Sequence, residues 1–99
     1  MDANEIFQSV LSRISVLTGT PSDKLLQSTT ETATDARYLL VLALARLGFT
    51  DVDIAVRVGR TRQAVSHLRT SYKRTGKWLL SNQWQTLVKW MENEYFARK

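Results

Sequence analysis

The chain has 99 residues, a net charge of +5 and no cysteine. That length suits one domain with its own core, and the lack of cysteine excludes disulfides, thiolate metal ligands and a thiol nucleophile. The start, Met1-Asp2-Ala3-Asn4-Glu5, lacks the basic and apolar stretches of a secretory signal, and the longest apolar run, Tyr38 to Ala45, is too short to span a bilayer, so a soluble cytoplasmic protein without a membrane partner is expected.

In chain order, Ile6, Val10, Ile14 and Leu17 recur at helical spacing, with Phe7 and Leu11 widening the face, so a first helix is expected from Asn4 to about Thr18. Gly19 stops it. Thr20-Pro21-Ser22-Asp23 opens a short second helix, with Thr20 as cap and Pro21 in its first turn, that sends Leu25 and Leu26 into the core. Residues 27–32 are a polar link. A third helix is expected from Ala33 to Leu47, apolar nearly all round from Tyr38 to Ala45 and therefore central and buried. Gly48 turns the chain. Thr50 then caps a fourth helix, with Asp53 in the reciprocal capping position, and Gly59 ends that helix after two turns. Thr61 caps a fifth helix that runs to about Thr75 and is closed by Gly76. A sixth, from about Ser81, carries Trp84, Leu87, Val88, Met91 and Tyr95 on one face. The expected fold is all-α: a compact bundle of about six helices containing a helix-turn-helix, with an aromatic C-terminal helix. Residues 1–76 form the main domain, and 77–99 pack on its core or at a dimer interface.

Charge is distributed unevenly. Residues 1–56 carry a balance of −3, and residues 57–99 a balance of +8. From Arg57 to Lys77 there are seven Lys/Arg and no acid. A cluster of this kind is either a solvated face or the footprint of a polyanionic partner.

Its placement bears on that choice. A helix-turn-helix needs a small residue where two short helices touch, positive φ in the turn and an apolar anchor on the second helix. Ala55, Gly59 and Val65 supply these in one register, with Ile54, Val58 and Leu68 completing the apolar set. If Ala64, Val65 and Leu68 face inward, the second helix turns Arg62, Gln63, Ser66, His67, Arg69, Thr70 and Lys73 outward. A helix entering the major groove N-terminus first reads bases with its first turns. Arg62 then suits guanine O6 and N7, Gln63 suits adenine N6 and N7, and Ser66 and His67 reach the next base edges. Arg57, Arg60, Arg69, Lys73, Arg74 and Lys77 fall near phosphates, joined by the hydroxyls of Thr61, Thr70 and Ser71. His67 also has two other readings, a metal ligand or general base, and a half-buried structural histidine. The first has no support, since no second histidine, cysteine or nearby acid accompanies it.

These residues also carry a resemblance. Gly59-Arg60-Thr61-Arg62-Gln63-Ala64-Val65-Ser66-His67 resembles the signature that opens the recognition helix in the C-terminal duplex-binding domain of the bacterial replication initiator DnaA, a Trp-repressor-like helix-turn-helix. Upstream, the short helix with Asp23-Lys24-Leu25-Leu26-Gln27-Ser28, the long helix from Ala36-Arg37, and Phe49-Thr50-Asp51-Val52-Asp53-Ile54-Ala55 are laid out similarly. The likeness covers roughly residues 5–72 and implies a DNA-binding module. Where the family has Asp-His after Gly-Arg this chain has Thr61-Arg62, which implies a different DNA box. The family's basic minor-groove loop is replaced by residues 28–35, with two acids and no base, which leaves Arg37 as the one remnant. The phosphate-binding loop of the family's ATPase domain is missing, so the resemblance does not imply initiation itself.

Beyond the likeness, Trp84, Leu87, Val88 and Met91 cover the core, while Trp90 and Phe96 lie off that stripe and suit a homodimer contact. The readings that remain are a small sequence-specific regulator or phage or mobile-element accessory factor, a DNA-binding adaptor for recombination or packaging, and a helical interaction domain with an acidic protein partner. Paired carboxylates, metal spacings and nucleophile–base spacings are lacking, so no enzyme, cofactor, metal or small-molecule substrate is expected.

Overall fold

Leucine, valine and alanine fill almost every turn in the middle of the chain, and that segment is the helix on which the others pack. The computed structural model describes residues 2–72 and 77–96. They form α1 (Ala3–Thr18), α2 (Ser22–Gln27), α3 (Glu31–Arg46), α4 (Asp51–Val58), α5 (Arg62–Ser71) and α6 (Trp78–Met91), followed by one π-helical turn over Glu92–Phe96. Among the described residues no strand occurs and no helix is long and apolar enough to cross a membrane. The fold is thus all-α, with a radius of gyration of 12.6 Å.

Local chemistry sets most of the helix ends. Asp2 and Glu5 form a reciprocal capping box, with Oδ1 of Asp2 accepting from the Glu5 amide at 2.8 Å and the Asp2 amide donating to Glu5 at 3.0 Å. Thr30, Thr50 and Thr61 cap α3, α4 and α5 through their hydroxyl oxygens. Several ends differ from expectation. Pro21, not Thr20, holds the N-cap position of α2 without a side-chain cap, because Thr20 is buried and its carbonyl accepts from the Ser15 hydroxyl. The polar link is shorter than expected because Thr30 starts α3 two residues early. Asp53 does not complete a capping box; its carboxylate turns to Arg57 four residues on, at 2.9 Å. The first turn of α6 begins at Trp78, before the expected Ser81. Helix α5 ends at Ser71, short of the expected Thr75, because Tyr72 turns extended with φ of −68° and ψ of 132° and gives its hydroxyl to Asp35; the expected stop at Gly76 lies outside the described residues.

Helix α3 touches each of the other five helices. Ala36, Leu39, Leu40, Val41, Ala43 and Leu44 are fully buried along it. Val10 and Ile14 of α1, Leu25 of α2, Ile54 of α4, Val65 of α5 and Leu87 and Met91 of α6 close around them. Each large side chain so buried contributes about 1.5–3 kcal/mol relative to exposure. Leu26, expected in the core, is only half-buried at its edge. The C-terminal helix shares this core, with Trp84 and Val88 half-buried beside Leu87 and Met91.

One polar cluster ties Tyr72 and Lys77 to α3. Asp35 accepts from the Tyr72 hydroxyl and, at 2.9 Å, from Lys77 Nζ. Lys77 also reaches the Tyr72 oxygen at 3.0 Å and Glu31 at 3.1 Å. The Tyr72 ring packs on Tyr38, centroids 4.9 Å apart. Burial, then the Asp35 hydrogen bond, raise the Tyr72 phenol above its usual range. Hydrogen bonds to Tyr72 and Asp35 raise the Lys77 ammonium. Groups raised on folding stabilise the native state below their unfolded pKa values and lose that contribution as pH climbs through the folded ones. Unfolding free energy should therefore fall above pH 10, and fall less steeply in Tyr72→Phe, which keeps the ring and removes the hydroxyl. Urea unfolding at stepped alkaline pH measures the difference, and equal slopes would remove Tyr72 from this linkage. Leu40→Ala, in the centre of α3, should lower stability by about 2–5 kcal/mol.

Candidate nucleic-acid interface

Helices α4 and α5 are joined by the three residues Gly59-Arg60-Thr61. Gly59 has φ of 70°, and a Cβ there would meet nothing within 4 Å, so the demand for glycine is conformational rather than steric. The amides of Gly59 and Arg60 both donate to the Ala55 carbonyl, closing α4. Thr61 Oγ1 accepts from the Ala64 amide at 3.1 Å and opens α5. Ile54, Ala55 and Val58 of α4 and Val65 of α5 are buried, and Leu68 is half-buried. Ala64, expected to face inward, is exposed; the lone full anchor at Val65 lets α5 stand proud of the core.

The outer face of α5 carries Arg62, Gln63 and His67 exposed and Ser66 half-buried. All four line one open cleft of about 560 Å³, together with Thr70 and with Thr50, Asp51 and Val52 from the start of α4. His67 is therefore at the surface, not a structural core residue. The Thr70 hydroxyl donates to the Ser66 carbonyl at 2.7 Å, within the helix. Side chains with hydrogen-bonding ends thus converge on one concavity at the N-terminal half of an exposed helix.

The cations expected around this face are placed differently. Arg57 folds inward: Nε donates to Asp53 at 2.9 Å, Nη1 donates to Asn4 at 2.7 Å, and the guanidinium lies over the Phe7 and Phe49 rings. Arg60 reaches back to the Leu26 carbonyl at 3.0 Å, anchoring the end of α2. Lys77 belongs to the Asp35 cluster. Arg69 is paired with Asp51 through two bonds, Nε–Oδ1 at 3.0 Å and Nη2–Oδ2 at 2.8 Å. Four cations expected at phosphates are therefore engaged by protein groups. Lys73 and Arg74 lie outside the described residues. Arg37 does not reach outward either: it is 5% exposed, and Nη2 donates to the Ser28 carbonyl. Burial, reinforced by Arg60 nearby, lowers its pKa from the usual arginine value.

Three cleft residues, Thr50, Asp51 and Val52, were not among the contact residues expected from sequence. Asp51 reads there as an ordinary acid in a first helical turn, and its partner lies 18 residues away. The Arg69 hydrogen bond holds the Asp51 carboxyl below its usual pKa, so it is ionised at neutral pH. Among the described residues, no three His, Asp or Glu side chains come together as a metal site.

Compared with protein-family models, curated proteins and solved structures, the chain matches none.

These placements separate two classes of basic residue. Arg57→Ala should lower stability by about 1–2 kcal/mol, because it removes charged hydrogen bonds and the packing of the arginine stem. Arg62→Ala and Gln63→Ala should stay within about 0.5 kcal/mol of the parent. Denaturant unfolding of the three variants measures this, and a large loss at Arg62 would show that it supports the fold.

Proposed function

We propose that the protein binds double-stranded DNA as a helix-turn-helix, with α4 and the Gly59 turn presenting α5 to the major groove, and that it acts as a small sequence-specific regulator or accessory factor rather than an enzyme. The observation that carries this reading is the cleft at the exposed start of α5. Arg62, Gln63, Ser66 and His67 converge there on side chains suited to base edges, on a helix held by one deep anchor. A groove about 12 Å wide admits such a helix. The resemblance of Gly59 to His67 to the DnaA duplex-binding signature supports the same reading, with Thr61-Arg62 implying a different target sequence. Thr61 and Thr70, with Lys73 and Arg74, remain the groups proposed for phosphates.

A second reading keeps DNA binding and adds a recruited protein or a second copy on the C-terminal helix. Trp78, Leu79 and Phe96 favour it, being 75%, 58% and 46% exposed. Trp90 favours it less, since it is half-buried, with Tyr95 edge-on at 5.6 Å and Arg13 over its ring at 5.0 Å. Sedimentation of a monomer at high micromolar concentration, free and on DNA, would remove the homodimer.

Selection of random duplex DNA on the purified protein at near-physiological salt tests the main reading. An enriched motif is expected, and a palindrome within it would add support for a dimer. Failure to retain any duplex would overturn DNA binding and leave a helical interaction domain with an acidic protein partner. Arg62→Ala should weaken the enriched sites by about 1–3 kcal/mol and random DNA far less. About five phosphate contacts, as counted from sequence, correspond to a log K against log salt slope of about −4 to −5. With four cations engaged internally, two or three contacts and a slope of about −2 to −3 are expected instead.

A further inference from the structure

We propose that Asp51 is a positioning residue that restrains non-specific DNA binding, by holding Arg69 away from phosphates and by placing a fixed negative charge in the cleft. The inference rests on the duplex-DNA reading of α5. Arg69 occupies the same exposed helix as Arg62, Gln63 and His67, and an unpaired guanidinium there would serve as a phosphate contact. It is instead gripped by both oxygens of Asp51 at 3.0 and 2.8 Å. This two-bond geometry fixes the plane of the guanidinium as well as its charge.

The pair joins the start of α4 to α5, and its two-bond geometry lifts it above an ordinary surface ion pair, with the side chains 36% and 24% exposed. Its place is the informative feature. Asp51 lines the cleft with the four side chains proposed to read bases. Non-specific binding derives almost wholly from phosphate charge, whereas base reading depends on short-range hydrogen bonds. Withdrawing one cation from the phosphates, and setting one anion beside them, weakens random binding more than binding to a matched site. Specificity is the difference between those two affinities, so it rises even as total affinity falls.

Asp51→Asn and Arg69→Gln test this, with fluorescence anisotropy on random and on selection-enriched duplexes across a salt series. Thermal unfolding of both variants checks that each is folded. Asp51→Asn should tighten binding to random duplex about three- to tenfold and steepen its salt slope by about 0.9, as one further phosphate contact would. The enriched duplex should gain less, so the specificity ratio falls. A folded Asp51→Asn protein with unchanged or weaker random binding overturns the proposal. Arg69→Gln gives an independent reading, because Arg69 is held off phosphate in the parent and its loss should leave the slope unchanged. A slope shallower by about 0.9 in that variant places Arg69 on phosphate and also overturns the proposal. If the parent binds no duplex at all, the DNA reading fails and this inference with it. Binding by the parent without the Asp51→Asn effect defeats this inference alone.

Discussion

Burial of α3 on every side is the constraint from which the rest of the structure follows. A helix apolar around most of its circumference has no face to offer solvent, and the five other helices each cover part of it. The polar requirement at its ends is met locally, by the Thr30 cap at one end and the Gly48 turn at the other. Because α3 takes Ile54 and Ala55 from α4 and Val65 from α5, the outward faces of that pair are set by the core on their inward side. The same helix holds Asp35, the acceptor that ties Tyr72 and Lys77 together. The exposed helix is thus fixed at its start by the Val65 anchor and just past its end by the half-buried carboxylate of Asp35.

That arrangement gives a short helix a firm footing with little buried area of its own. Among the described side chains of α5, Val65 alone is fully buried, and most of that surface is left for side chains with hydrogen-bonding ends. A proposed recognition element gains from this combination. The helix is held in one orientation, while changes in its exposed residues leave the core untouched. The basic residues divide along the same line. Arg57 and Arg60 bridge neighbouring helices and brace the platform, whereas Arg62 stands clear of it.

Much of this was legible in the residues themselves. The 3.6-residue recurrence of apolar side chains, the threonine caps and the glycines at positive φ act within one or two turns of chain, so they mark helices without knowledge of the fold. The inward turn of Arg57 was legible in part, since Asp53 precedes it by four residues, the spacing of a helical ion pair. The pairing of Asp51 with Arg69, of Arg60 with the Leu26 carbonyl, and of Lys77 with Asp35 carried no such signal. Each joins residues at least 18 positions apart.

By itself, then, the sequence determined the helix order, the central place of α3, the left-handed turn at Gly59 and the exposure of Arg62, Gln63 and His67 at the start of α5. These depend on periodicity and on the conformational limits of single residues. Only the tertiary structure decided which cations stay at the surface and which are drawn into partnerships. A guanidinium on a flexible stem goes to the nearest acceptor in space, and that acceptor is supplied by the packing of distant helices rather than by neighbours along the chain.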